Sequence, residues 1–270
     1  LVCLVGSEMC IRDSSGIVAF ASENNLVKLS SPSTMLRVRN INTNTIIEVS
    51  AESPNGHLRY DGDVRVDGVP GTGSPVLLNF LDVGGSKTGK LFPTGNVRDQ
   101  VEGVEVSCLD AAVPMVHINA KDLGLAGNET KQQLDDNAEL LERIESIRLS
   151  AGRLMGMGDV TGSVVPKVSL LSPPTKDGHI TSRYFVPQNC HASHAVTGGI
   201  CVAAACMIPG TVAHEVCQGI NSETVVIEHP SGQIQVNIKV EPGEIEPAVR
   251  QAALVRTARP LFKGQVYPTF

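Results

Sequence analysis

The segment Thr197 to Met207, TGGICVAAACM, carries no charge on any side. A helix of this composition has no polar face to offer water, so it must be sheathed all round, and a β-sheet can do that. Pro209-Gly210 stops it, because proline withholds an amide and glycine accepts a left-handed turn. The apolar run from Gly198 to Pro209 covers 12 residues, against the roughly 20 that a bilayer requires. It reads as protein core, and no membrane span is expected. Two strands follow, ETVVIEH and QIQVNIKV, joined across Pro230-Ser231-Gly232. The second alternates Ile234, Val236, Ile238 and Val240, the period of a strand with one buried face.

The same order occurs earlier in the chain. GIVAFASENNLVKL, from Gly16 to Leu29, reads as a short buried helix with Val18, Ala21 and Asn25 on one face, ending near Ser30-Ser31-Pro32. MLRVRN and TIIEVSAE then read as a hairpin joined by Asn40-Ile41-Asn42-Thr43-Asn44, whose asparagines tolerate turn conformations. The two helix-plus-hairpin units lie roughly 180 residues apart, which points to an internal duplication. Between them VEVSCLD and VPMVHINA read as strands. Glu129 to Met155 reads as one long helix, with Leu134, Leu141, Ile144 and Ile147 inward and charges outward. Its acids crowd the first half, and Arg148 and Arg153 lie near the end, matching the helix dipole. The stretches Asp61 to Gly73 and Gly84 to Gly95 are loops.

A formal charge of -6, no Trp and three Tyr leave neither a basic face for a phosphate backbone nor a stacking platform for bases. Nucleic acid is therefore not an expected partner. Seven cysteines without a CxxC pair fit neither a zinc site nor a disulfide framework, so reduced thiols in a cytoplasmic protein are expected. Cys108, Cys201, Cys206 and Cys217 read as small core residues, because an apolar setting raises a thiol's pKa. The opening LVCLVGSEMCIRDS lacks the basic and long apolar regions of a signal peptide and looks like adaptor read-through. Residues 1–14 are accordingly set aside as non-native, with native sequence expected from Ser15 within a longer protein.

Two segments invite a chemical reading. Gly84-Gly85-Ser86-Lys87-Thr88-Gly89-Lys90 resembles a phosphate loop, but Leu91 stands where Ser or Thr would hold magnesium. That leaves a solvated turn or a polar loop touching a small anion. Asp67 to Gly73, DGVPGTG, is a turn cluster whose GxG is too short for a dinucleotide fold. In RYFVPQNCHASHAVTGGI, from Arg183 to Ile200, Thr197 can cap a helix whose first amides, at Gly198 and Gly199, lie open to a carboxylate. His191 and His194 flank that end, and imidazole exchanges protons near neutrality. They could equally be ordinary loop histidines. Zinc on Cys190, His191 and His194 would crowd three ligands onto one turn without a fourth, so no metal is expected.

Taken in order, DGVPGTGSPVLLNF, GGSKTGKLFPTG, VSCLDAAVP, IRLSAGRLMGMG, HASHAVTGGICVAAACMIPGT and HPSG resemble the PrpF family of 2-methylaconitate isomerases and oxalomesaconate tautomerase-type enzymes, from about Gly16 onward. The resemblance implies an α/β (α+β) fold like that of diaminopimelate epimerase: two pseudo-symmetric halves, each a mixed β-sheet wrapped round a central helix. The expected division is 15–100 for the remainder of the first half, 101–246 for the second, and 247–270 for a C-terminal segment returning to the first.

It also implies a cofactor-independent proton shift, either cis-trans isomerisation or double-bond migration, on a small unsaturated di- or tricarboxylate such as 2-methylaconitate. The epimerases place a cysteine at the start of each central helix; Val196 stands there in this chain, which argues against a two-cysteine racemase. The family's catalytic Lys and its Asn-Cys-Gly-Asn turn precede the first central helix and have no counterpart here, so an inactive carboxylate-binding fragment is the alternative. Cys10 lies near the vacant place without matching it. By this reading Thr197, Gly198 and Gly199 hold a substrate carboxylate, His194 donates a proton, and Ser86, Thr88, Thr94 and Gly95 complete the cleft. The oligomeric state stays open, a homodimer being one alternative.

Overall fold

Parallel strands cannot be joined by a tight turn, so each parallel pair in a mixed sheet demands a crossover, and here the crossovers are helices. The computed structural model describes residues 10–40, 45–244 and 246–261. In chain order the elements are α1 (Cys10–Glu23), β1 (Ser33–Asn40), β2 (Thr45–Glu52), β3 (Pro75–Leu81), β4 (Asp99–Val101), β5 (Val104–Asp110), β6 (Pro114–Asn119), α2 (Lys131–Asp135), α3 (Ala138–Leu154), β7 (Lys167–Ser172), β8 (Ile180–Phe185), α4 (Val196–Met207), α5 (Val212–Val216), β9 (Thr224–His229), β10 (Gly232–Glu241) and β11 (Ala248–Thr257). The described residues form two compact units, one within 80–254 and the other within 10–79 together with 255–261.

In the larger unit the strand order is β11-β10-β9-β8-β7-β6-β5-β4. The β6–β7 and β8–β9 pairs are parallel, the first bridged by α2 and α3 and the second by α4 and α5. These crossovers cover opposite faces of β5 to β8. Cys108, Val116, Val168, Leu170 and Phe185 pack with Ile144, Ile147 and Ala151 of α3. Ser107, His117, Ser182 and Tyr184 point the other way, to α4, α5 and the loop before α4. Every residue of β6, β7 and β8 is buried, as a strand between two helical layers must be. The strand β10 buries alternate residues, and α4 buries everything from Gly198 to Cys206. The smaller unit packs Val18 and Ala21 of α1 in a core with Ile47, Val49 and Ala51 of the β1–β2 hairpin.

The architecture is mixed α+β with a large mixed sheet, as the sequence implied, and the helix-plus-hairpin order recurs at α1-β1-β2 and α4-α5-β9-β10. Four details differ. The first helix stops at Glu23, because Asn25 takes a left-handed conformation (φ 54) and turns the chain out exposed. It begins at Cys10, so residues 10–14 of the opening segment form its first turn. The connection at 41–44 and residues 1–9 lie outside the described residues. The expected long helix is two helices: Thr130 closes a capping box on α2, and the Asn137 side chain accepts from the Leu140 amide to start α3. Arg148, expected outward, is 1% exposed. Its guanidinium donates to both Glu145 carboxylate oxygens and to the carbonyls of Val160, Ser163 and Val165, pinning the loop between α3 and β7.

Candidate active site

The loop before α4 is held by side chains that reach it from β8 and from the β9–β10 turn. His194 is 6% exposed. Its Nδ1–H donates to the Ala195 carbonyl at 3.0 Å, so Nε2 is the acceptor for the Ser182 hydroxyl at 3.0 Å. The ring also lies 4.8 Å from that of Tyr184. Ser231 donates to the Ala192 carbonyl, and the Ser193 amide donates to Nδ1 of His191. These contacts fix the approach of the chain to the helix.

The helix begins at Val196, one residue before the expected cap. Ala195 occupies the N-cap position with φ −70 and ψ 144 and gives no side-chain bond, so Thr197 does not cap. The Gly199 amide, expected to be open, donates to the Ala195 carbonyl at 2.8 Å. The open amides are those of Val196, Thr197 and Gly198, the first three of the helix; no acceptor among the described residues is bonded to them. They converge at the positive end of a 12-residue dipole with no acidic side chain in the first turn. Gly198 owes its identity to packing: a Cβ there would lie 2.5 Å from Cε2 of Tyr184.

Burial pushes the His194 imidazole down to about 3, a fall that the Ala195 hydrogen bond only partly offsets. The ring is neutral near pH 7 with both nitrogens engaged, and so has no free nitrogen for the expected proton donation. One turn further along, the Cys201 thiol meets Nε2 of His117 at 3.5 Å, and His117 Nδ1 meets the Ser169 hydroxyl at 2.7 Å. Burial holds that imidazole near 3 as well. These contacts tie α4 to β6 and β7.

The other expected binding residues are engaged elsewhere. Asp110, at the buried end of β5, accepts from the Ser86 hydroxyl at 2.5 Å, the Lys87 and Thr88 amides at 2.7 and 2.8 Å, and the Thr88 hydroxyl at 2.9 Å. The GGSKTG loop therefore does bind a carboxylate, but one that the chain itself supplies. Thr94 donates to Asp99 at 2.7 Å, and Gly95, at φ 81, turns back to the Phe92 carbonyl. Downstream of that turn, Arg98 donates to the Gly210 and Thr211 carbonyls beyond the far end of α4. No hydrogen bond among the described residues links Ser86, Thr88, Thr94 or Gly95 to 194–199. Ser182 and Tyr184 escaped the sequence reading. HPSG was legible as a motif, but nothing local marks Ser182 or Tyr184.

An open helix start of this kind inside a mixed sheet is suited to holding a small anion. The chain belongs to the PrpF family, whose model matches residues 6–269. It is 47% identical over 253 residues to YbhH of Escherichia coli K12, which is named as an isomerase without a stated substrate; the match covers 94% of this chain and 72% of that one. It is 42% identical to the 4-oxalomesaconate tautomerase of Pseudomonas putida, over 93% of this chain and 69% of that protein. The crystal structure of methylitaconate-delta-isomerase matches with a TM-score of 0.85 and 32% identity, covering 98% of this chain and 73% of that one. No described helix is long and apolar enough to cross a membrane.

Proposed function

We propose that the chain moves a proton, and with it a double bond, on a small unsaturated di- or tricarboxylate, one carboxylate of which sits on the amides of Val196, Thr197 and Gly198. The observation that carries this reading is the row of three amides at the start of α4, with no acceptor bonded to them among the described residues. Three convergent N–H groups at a dipole's positive end suit a carboxylate, and each charge-assisted bond is worth roughly 1.5–3 kcal/mol. Holding that carboxylate also stabilises the charge that spreads toward it when the allylic proton leaves.

His194 acts here as a positioning residue. By bridging Ser182 and Ala195 it fixes the direction in which the three amides point. Support for the substrate class comes from the relatives named for 4-oxalomesaconate and methylitaconate, both unsaturated carboxylates. Among such substrates we favour the oxalomesaconate type, with double-bond migration, over cis-trans isomerisation of 2-methylaconitate, because the relative named for the former is 42% identical to this chain.

Proton NMR in deuterated buffer tests this directly. Incubated in turn with 4-oxalomesaconate, 3-methylitaconate and 2-methylaconitate, the chain should convert the first fastest and exchange its allylic hydrogen for deuterium. Conversion without deuterium uptake would contradict the proton shift, and preferential turnover of 2-methylaconitate would overturn the substrate assignment.

A further inference from the structure

Cys217 departs from its expected place in the core. Cys108, Cys190, Cys201 and Cys206 are buried, whereas Cys217 is only half-buried. It follows α5, and the α4–α5 turn folds back so that this thiol faces the last turn of α4. Four contacts set the geometry. The Thr211 hydroxyl donates to the Ala205 carbonyl at 2.6 Å, Nδ1 of His214 donates to the Cys206 carbonyl at 2.8 Å, and the Cys217 thiol approaches the His214 and Cys206 carbonyls at 3.3 and 3.8 Å. The Cys217 thiol thus lies against Cys206, and each of the two thiols shifts the other's acidity.

We infer that Cys217 is a peroxide-sensitive thiol and Cys206 its resolving partner, the two closing to a disulfide that joins the end of α4 to the end of α5. In the first step the Cys217 thiolate attacks one oxygen of hydrogen peroxide. The S–O bond forms as the O–O bond breaks, hydroxide leaves, and Cys217 becomes a sulfenic acid. In the second the Cys206 sulfur attacks the oxidised sulfur, the S–O bond breaks, and the Cys206 proton leaves with the departing hydroxide as water. Two thiols are oxidised and one peroxide is reduced to water. Cys206 need not meet the oxidant itself, because the Cys217 thiol already lies beside it, 3.8 Å from its carbonyl.

The chemistry of the described thiols supports this order. The adjoining Cys206 side chain lowers the Cys217 thiol to about 7, and His214 adds to the effect, so a large share is thiolate at neutral pH. Burial pushes Cys108 up to about 12 and Cys190 up to about 11, and Cys206 is also raised.

The test is peptide mapping of the full chain after treatment with a few equivalents of hydrogen peroxide, removal of the peroxide, denaturation in the presence of an alkylating agent, and non-reducing digestion. The expected result is one cross-linked peptide pair carrying Cys206 and Cys217, lost on reduction, with Cys108, Cys190 and Cys201 alkylated. In Cys206→Ser, Cys217 should instead be trapped by dimedone as the sulfenic acid. Should that variant fail to fold, Cys217→Ser serves in its place and should leave Cys206 alkylated. Recovery of Cys217 unmodified, over-oxidised, or linked to another cysteine in the unaltered chain would overturn the inference, as would oxidation of Cys206 in Cys217→Ser.

Discussion

At the scale of single residues, the chemistry of His194 is set by what it touches and not by its type. Depressed to about 3 by burial, it is neutral in the fold and takes up a proton only when the chain opens. The unfolded imidazole titrates near 6.5. Its contribution to stability is therefore full above that value and is lost as the pH falls from 6.5 toward 3. Nitrogen-15 NMR should show the Nδ1–H tautomer with no titration between pH 8 and 5; a mid-range titration in the folded protein would refute the assignment. The sequence singled out His194 because it flanks the helix start and imidazole exchanges protons near neutrality. It could not reveal that Ser182, from a neighbouring strand, occupies Nε2. Thr197 was misread as a cap for a related reason: Ala195, at the true cap position, has no side-chain acceptor to announce it.

At the scale of elements, two loops are organised by the same device. Asp110 at the end of β5 gathers Ser86, Lys87 and Thr88, and Glu228 in β9 gathers Thr175, Lys176, Gly178 and Thr181. Burial alone would raise the Glu228 carboxyl, but bonds from Thr175, Gly178 and Lys176 outweigh it and bring the group down to about 2. A depressed carboxyl stabilises the fold above its unfolded value, near 4.3, and that stabilisation is lost as the pH falls through 2. For a residue 4% exposed the contribution is about 3 kcal/mol at neutral pH. Glu228→Gln should lower the melting temperature at pH 7 and converge with the parent near pH 2, as differential scanning calorimetry would show. A gap that stays constant with pH would disprove the clamp.

Arg148→Met should also destabilise, by about 3 kcal/mol, since it leaves the carbonyls of Val160, Ser163 and Val165 and the Glu145 carboxylate without their donor; urea denaturation measures this, and a change under 1 kcal/mol would contradict the pinning role. Strands β1, β2, β5, β6, β9 and β10 could be read from composition and alternation. The burial of β7 and β8 on both faces removes any alternation, and Ser169, Ser182 and Arg183 inside them disguise an interior as a surface.

At the scale of the whole molecule, the apolar helix Val196–Met207 is what the sequence most constrained, and it is where the sheet, the buried histidines and the open amides meet. Its sheathing was legible because no other arrangement could bury it. Which amides stay open was not, since that depends on a one-residue shift in the helix start. The decisive measurement compares the kinetics of Val196→Pro with those of Val196→Ala on 4-oxalomesaconate. Proline suits the first helical position, and Ala195 already has the extended backbone that a following proline requires. The substitution thus removes one amide donor without breaking a helical hydrogen bond. The proline variant should melt within a few degrees of the alanine variant, with KM raised about 10-fold or more and kcat lowered as well, because the lost amide also faces the charge that develops in the transition state. A folded proline variant with unchanged KM would show that the carboxylate does not bind at the start of α4.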